Sequence, residues 1–367
     1  MKKFWIAIII TVVLVLTIVL VVTQTKKEPA EIKIGAILPL TGNAALAGLN
    51  AREGIELAVE EINSKGGING IKIKMIYEDT QADPKTAVAA VNKLIKVDKV
   101  PYIIDNSISS VTLAVAPICE ENKTVLLATG ATAPKISAAG DFIFRIWNSD
   151  AVEGERMAMY TADILKLKRI GILYINNDYG IGLKDVFQSA LNKIGIDLAA
   201  AESFEQGEQQ YQTQLTKLIV TQPEAIYLVG YSIDCIKIVQ QAKELRYKGV
   251  WLGTTVMLDP TVIKAFKKTD YGLYYPVNVL PDTSSPIIKS FRDKFFAKYQ
   301  KEAPALSDVG YDAIMLLKLA IGIEGSFDGE KIRKGLIDIK GYEGASGLIK
   351  FDENGDVHKP IDIKVLK

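Results

Sequence analysis

The chain has 367 residues, 49% of them hydrophobic and 24% charged, enough for two domains or for one chain folded into two lobes with a sizeable core. Its 44 basic residues balance 43 acidic ones at a formal +1, so no excess field draws it to nucleic acid or to acidic surfaces. The single histidine, His358, stands in the polar turn DENGDVHKP, which argues against Ser-His-Asp triads and multi-histidine metal sites. No metal and no cofactor is expected.

Met1 to Lys3 is basic, and Phe4 to Val22 is a run of 19 uncharged, mainly apolar residues before TQTKKEP. As a helix that run reaches about 28 Å, close to the roughly 30 Å of bilayer hydrocarbon. Neither an A-x-A cleavage pattern nor a lipid-accepting cysteine follows it. Residues 1–30 are therefore expected to be an uncleaved membrane anchor with a short linker, the rest of the chain being exported. The alternative is a cleaved signal that leaves a secreted or periplasmic protein.

Glu31 to Leu38 reads as a strand, followed by the glycine turn PLTGNAALAG. In the helix Arg52 to Ser64, Ile55, Leu57, Ala58, Val59 and Ile62 share a broad apolar face, and Lys65-Gly66-Gly67 ends it. Strand Ile71 to Tyr77, helix Pro84 to Val97, strand Tyr102 to Ile104, helix Val111 to Asn122 and strand Val125 to Ala128 continue the alternation. Such spacing predicts a parallel, doubly wound sheet with right-handed crossovers. Cys119 lies in the last of these helices, in APICEEN, and has no CxxC partner; a free buried thiol is expected there.

After FRIWNSDAVEGERMA the alternation restarts with helix Gly154 to Leu165, strand Arg169 to Ile175, helix Ile181 to Ile194 and strand Asp197 to Phe204. Helix Tyr211 to Thr221, strand Ala225 to Val229, helix Cys235 to Leu245 and strand Val250 to Gly253 follow, with Cys235 again a buried thiol. Pro286 to Lys301 and Gly310 to Gly322 read as further helices, and Gly347 to Phe351 with Ile361 to Val365 as paired closing strands. Asp352, Asn354 and Asp356 between them lack the length and terminal glutamate of a calcium loop and read as turn residues. The expected class is α/β: two doubly wound parallel-sheet lobes with a ligand cleft between them. Residues 31–147 and 278–344 would form lobe 1, and residues 148–277 and 345–367 lobe 2.

The stretch VLLATGATAP, Val125 to Pro134, runs a buried strand into a loop of small and hydroxyl residues, Thr129 to Thr132. Upstream, the strand from Tyr102 ends in Ser107, Ser109 and Ser110 ahead of a helix. In open α/β sheets ligands sit at the carboxyl ends of strands, and helix N-termini favour anions. These hydroxyls and backbone N–H groups either cap turns and helices or converge on an anion, a carboxylate being the simplest guest.

Seven segments in order, GAILPLTGNAALAG, GIELAVEEINSKGGING, DTQADPKTAVAAVNKLI, SSVTLAVAPICEENKTVLLATGATAP, FRIWNSDAVEG, NNDYGIG and GLIKFDENGDV, resemble the extracytoplasmic solute-binding proteins of branched-chain amino-acid ABC importers. This is the Leu/Ile/Val-binding protein family, of type I periplasmic-binding fold, and the resemblance covers nearly everything from Ile32 onward. It implies two lobes, joined by a hinge, that close on a small solute, with ABC permease and ATPase subunits as partners. Carried over residue by residue, it sets Ser109 with Gly130, Ala131 and Thr132 on a ligand carboxylate. Tyr179 in NNDYG and Tyr231 in LVGYS would close over the ligand from lobe 2, and Asp150 in RIWNSD would lie near its ammonium. Two departures stand out: WLGTTVMLD places Thr254 and Thr255 where the family has an acid facing the ammonium, and Ala45, Leu46 and Ala47 occupy a loop where an aromatic often sits. The implied ligand is a branched-chain type of amino acid or a related carboxylate or amide.

A ligand-sensing ectodomain of a signalling complex is the alternative function. An enzyme using Asp150 or Glu153 as acid or base is disfavoured, because no nucleophile, metal cluster or phosphate loop accompanies them.

Overall fold

The computed structural model describes residues 31–42, 44–279 and 285–366. The expected membrane segment lies outside these residues; among those described, no helix is long and apolar enough to cross a membrane.

The first sheet is built by β1 (Ile32–Leu38), β2 (Ile73–Asp79), β3 (Tyr102–Asp105), β4 (Val125–Ala128) and β5 (Ile143–Arg145), all parallel in the order β2-β1-β3-β4-β5. Strands β3 and β4 are buried at every position, as expected of central parallel strands covered on both faces. Helices α1 (Ala45–Ser64), α2 (Pro84–Lys93) and α3 (Ser109–Glu121) make the crossovers. α2 is extended by a π turn, Leu94–Asp98. Asp83 caps α2 by accepting from Thr86 N, and Pro84 takes the first helical position. Both sheet faces are filled, one by α1 with later helices, the other by α2 and α3.

From Asn148 the chain enters a second sheet. Its strands β6 (Ile170–Ile175), β7 (Leu198–Phe204), β8 (Ala225–Val229), β9 (Val250–Leu252), β10 (Leu273–Asn278) and β13 (Ile361–Leu366) lie in the order β13-β10-β9-β8-β6-β7. Only the β10–β13 pair is antiparallel. Helices α4 (Asp150–Asp163), α5 (Asp178–Lys193), α6 (Gln212–Ile219), α7 (Ser232–Glu244) and α8 (Pro260–Phe266) pack around it. The chain then returns to the first body with α9 (Pro286–Tyr299), α10 (Ser307–Glu324) and α11 (Gly329–Asp338), and with the hairpin β11 (Tyr342–Gly344) and β12 (Gly347–Ile349).

Three expectations shift. The closing strands are not partners: β12 pairs with β11, and β13 adds to the second sheet beside β10. Ala345, Ile349, Phe351 and Val357 pack in the first core, so the chain leaves that body near Lys359, later than the expected 345. Helices α1, α4 and α5 begin one to two turns before their expected starts, because glycines that read as turns sit inside helices at close approaches. A Cβ at Gly48 would stand 2.1 Å from the Pro39 carbonyl oxygen, and one at Gly180 would stand 1.9 Å from that of Ile175.

Three passages join the two bodies, and the amide of Asn148 binds them together. Its Nδ2 donates to Asn278 Oδ1 at 2.9 Å and to the Lys359 carbonyl at 2.8 Å, while Lys359 N donates to its Oδ1 at 2.7 Å. Val279 N also donates to the Pro360 carbonyl.

Candidate binding site

Both sheets have a switch point, where strand order reverses: between β1 and β3 in the first, and between β6 and β8 in the second. Ligands of open α/β sheets bind outside the strand C-termini at such points. Ser109 follows β3, the 130–132 loop follows β4, Tyr179 follows β6, Tyr231 follows β8 and Thr254 follows β9. These five strand ends supply the predicted site residues, Thr255 following Thr254, other than Asp150, which opens α4 directly after the first passage.

Ser109 begins α3 but caps nothing; the cap position is Ile108, with no side-chain bond. Its Oγ instead accepts Thr132 N at 3.2 Å and Ala133 N at 3.1 Å, tying the loop after β4 to the helix after β3. That leaves the Ser109 O–H proton free to donate. Thr132 Oγ1 donates to Asp150 Oδ2 at 2.9 Å, and Asp150 N donates back to the Thr132 carbonyl. Gly130 abuts Asn106 and the Ser107 carbonyl, whose Nδ2 and oxygen would lie 3.3 and 3.4 Å from an added Cβ, so the loop packs closely on that side.

From the second body, the Tyr179 and Tyr231 rings stack 5.6 Å apart at 17°. Tyr179 OH donates to Thr254 Oγ1 at 3.1 Å, and Asn177, the cap of α5, donates Nδ2 to Tyr231 OH at 3.2 Å. Thr255 takes part through its backbone, its N donating to Glu153 Oε1 at 3.1 Å. The bodies also meet at the mouth, where Lys135 pairs with Asp178 at 3.5 Å and Pro134 packs against Gly182.

Three residues that the sequence reading left without a binding role complete the arrangement. Thr254 is fully buried and caps the turn Thr255–Leu258. Arg145, on β5 and fully buried, donates Nη1 to the Thr132 and Ala133 carbonyls at 2.9 and 3.0 Å, and Nε and Nη2 to Asp356 Oδ1 at 3.0 and 2.7 Å. Its Nη2 also donates to Ser137 Oγ, which donates to Asp356 Oδ2. Glu153 lies three residues beyond Asp150, on the same helix face, and is 3% exposed. That spacing was the available signal for Glu153; a lone arginine in a three-residue strand offers none.

The electrostatics is that of a dry, acid-lined space. Burial pushes the Asp150 carboxyl well above the usual range, and the neighbouring Glu153 charge adds to the push. Burial likewise raises Glu153, to about 7. Behind the Ser107 turn, Asp105 is raised by burial to about 6, although Thr112 and Ser107 N donate to it. Asp312, which accepts Ala345 N and Ser346 N, is raised by burial to about 6. Each of these acids binds its proton more tightly folded than unfolded, so each adds stability as pH falls from about 7 toward 5. Glu61, lowered to about 2 by its Lys65, Lys294 and Tyr311 partners despite burial, acts oppositely only below its unfolded range. The ligand-free protein should therefore melt higher at pH 5.5 than at pH 8. A melting temperature that falls steadily over that interval in scanning calorimetry would contradict this.

An open hollow of about 870 Å³ lies at the other end of the first sheet, against Lys33, Val100, Thr124 and Asp328. It is lined by none of the residues above, and strand N-termini are not where open α/β sheets bind ligands.

Known proteins share this chain's sequence pattern and fold. The family model for periplasmic binding proteins matches residues 31–363. The chain belongs to that family. A Leu/Ile/Val-binding protein homolog of Brucella melitensis is 30% identical over 90% of each chain. A leucine-, isoleucine-, valine-, threonine- and alanine-binding protein of Pseudomonas aeruginosa is 28% identical over 89% of this chain and 87% of its own. The crystal structure of the leucine-binding protein LivK from Thermotoga maritima superposes with a TM-score of 0.84 at 33% identity, covering 92% of this chain and 95% of that one. The expected type I periplasmic-binding fold is the one observed. The membership makes this a solute-binding protein and not an enzyme, so the buried acids of the periplasmic binding protein are read as ligand-facing or structural groups.

Proposed function

We propose that this periplasmic binding protein captures a branched-chain amino acid between its two bodies and delivers it to the permease of an ABC importer. The observation that carries the reading is the convergence of Ser109, Thr132, Tyr179 and Tyr231 from strand ends of both sheets. Ser109 Oγ–H, Thr132 and the backbone N–H groups at Gly130 and Ala131 receive the carboxylate, with the N-terminus of α3 favouring its charge. The stacked tyrosines cover the apolar side chain from the second body, and Asp150 stands near the ammonium. The protein works outside the cytoplasm, held to the membrane by Phe4 to Val22. A soluble mature form beginning near Thr23 to Lys27 would overturn the anchor and leave the rest intact.

Titration with leucine, isoleucine and valine tests the capture reading. A ligand at a hundred times its Kd stabilises the folded form by about 2.7 kcal/mol, so the cognate amino acid should raise the melting temperature, and solution scattering should show a liganded form at least as compact as the free one. No thermal shift with any of the three at millimolar concentration would overturn it.

A further inference from the structure

We propose that Glu153 is the acid that receives the ligand's ammonium in this chain, acting with Asp150 on the same face of α4 and with the phenol of Tyr227 as a third polar partner. The inference rests on the capture reading and adds where the positive end of the ligand lies.

Three observations converge. First, the corner after β9 holds Thr254 and Thr255 and no acid, yet a carboxylate reaches that corner from another element: Glu153 Oε1 accepts Thr255 N at 3.1 Å. A carboxyl group thus stands at that corner, supplied by the first turn of α4. Second, these two carboxyls have no ion-pair partner. Among the described residues no lysine, arginine or histidine pairs with Asp150 or Glu153, and Arg145 is spent on Asp356, Ser137 and two carbonyls. Two neighbouring buried carboxyls are stable together only protonated or beside a positive guest. Third, Tyr227 projects from β8 with its ring against Phe187, and its fully buried hydroxyl has no hydrogen-bond partner among the described residues. That hydroxyl lies within electrostatic reach of both Glu153 and Asp150. A buried polar atom left unpartnered is costly unless something fills the gap. An ammonium has three donors; two carboxylates and a phenol oxygen supply three acceptors.

The groups facing Glu153 are Asp150 on its own helix, Tyr179 from α5, Tyr227 from β8 and Thr255 N after β9, while Tyr231 at the start of α7 and Arg145 from β5 act on Asp150. None of the tyrosines ionises near neutrality, since burial raises all three. In the empty site Glu153 keeps its proton up to about pH 7. An ammonium ligand needs the carboxylate, so below that pH each binding event expels a proton and affinity falls.

The test is calorimetric titration of the full chain, wild type and Glu153→Gln, with leucine and with 4-methylpentanoate, which is leucine without its amino group, at pH 8 and pH 5.5. Gln retains an oxygen for Thr255 N, and unligated melting checks the fold. The variant should lose about thirtyfold or more in leucine affinity at pH 8 and less than threefold for 4-methylpentanoate. Wild-type affinity for leucine should drop about tenfold or more from pH 8 to pH 5.5, and the variant's should drop clearly less, because only the Asp150 carboxyl then still has a proton to lose. Tyr227→Phe should weaken leucine alone. Equal losses for both ligands, or an unchanged pH profile in Glu153→Gln, would overturn the assignment while leaving capture standing. A wild type that binds leucine at neither pH would instead remove the capture reading and this one with it.

Discussion

Replacing Arg145 by methionine will destabilise the fold by about 3–5 kcal/mol, the usual cost of removing one partner of a buried ion pair. The side chain is fully buried, and its loss strands the Asp356 carboxylate and the Thr132 and Ala133 carbonyls. Against a typical stability of about 5–15 kcal/mol this is a large fraction. Binding should suffer as well, because the two carbonyls that lose their donor belong to the loop proposed to receive the ligand carboxylate. Arg145→Lys keeps the charge without the planar fork, so it should fall between wild type and methionine. Denaturant unfolding of the three proteins decides the matter; a methionine variant within about 1 kcal/mol of wild type would mean that the network is not what secures this loop.

The double change Ser109→Ala with Thr132→Ala should weaken leucine binding at least about a hundredfold, since each hydrogen bond to a charged group contributes about 1.5–3 kcal/mol. Stability should drop by a few kcal/mol at most. Ser109 Oγ accepts two loop N–H groups rather than capping α3, so alanine leaves those donors without their acceptor, at about 1–3 kcal/mol each if they stay dry. Affinity measured beside thermal unfolding separates the two effects. If the melting point falls while affinity for leucine holds, the hydroxyls shape the loop only, and the carboxylate sits elsewhere.

Much of this architecture can be read from local pattern, and its failures share a cause. Val125–Ala128 and Tyr102–Asp105 are short uninterrupted apolar runs between helical patterns, and both are central strands buried on two faces. The partner of a strand is a non-local fact. Gly347–Ile349 and Ile361–Leu366 are near neighbours in sequence, which suggests a hairpin, yet they belong to different sheets. The hydroxyl residues after β3 and β4 were legible because the strand end itself announces the crevice, whereas Tyr179 and Tyr231 were named only through the family resemblance. Arg145 was not, since a charged residue on a three-residue strand has no periodicity and its partner Asp356 lies 211 positions on. Glycines misled at helix starts: Gly48 and Gly180 serve close approach inside helices, where local preference would place a turn.

The amide of Asn148 gives the joint between the two bodies a mechanical character. All three strands that cross are fastened to one side chain or to each other within a few ångströms. Straps clasped this way cannot flex one at a time; a rotation about any of them is geared to the other two. The molecule is thereby left with a single soft coordinate instead of three, and whatever reads its outer surface receives one signal, the angle of that joint, whichever contact inside the crevice set it.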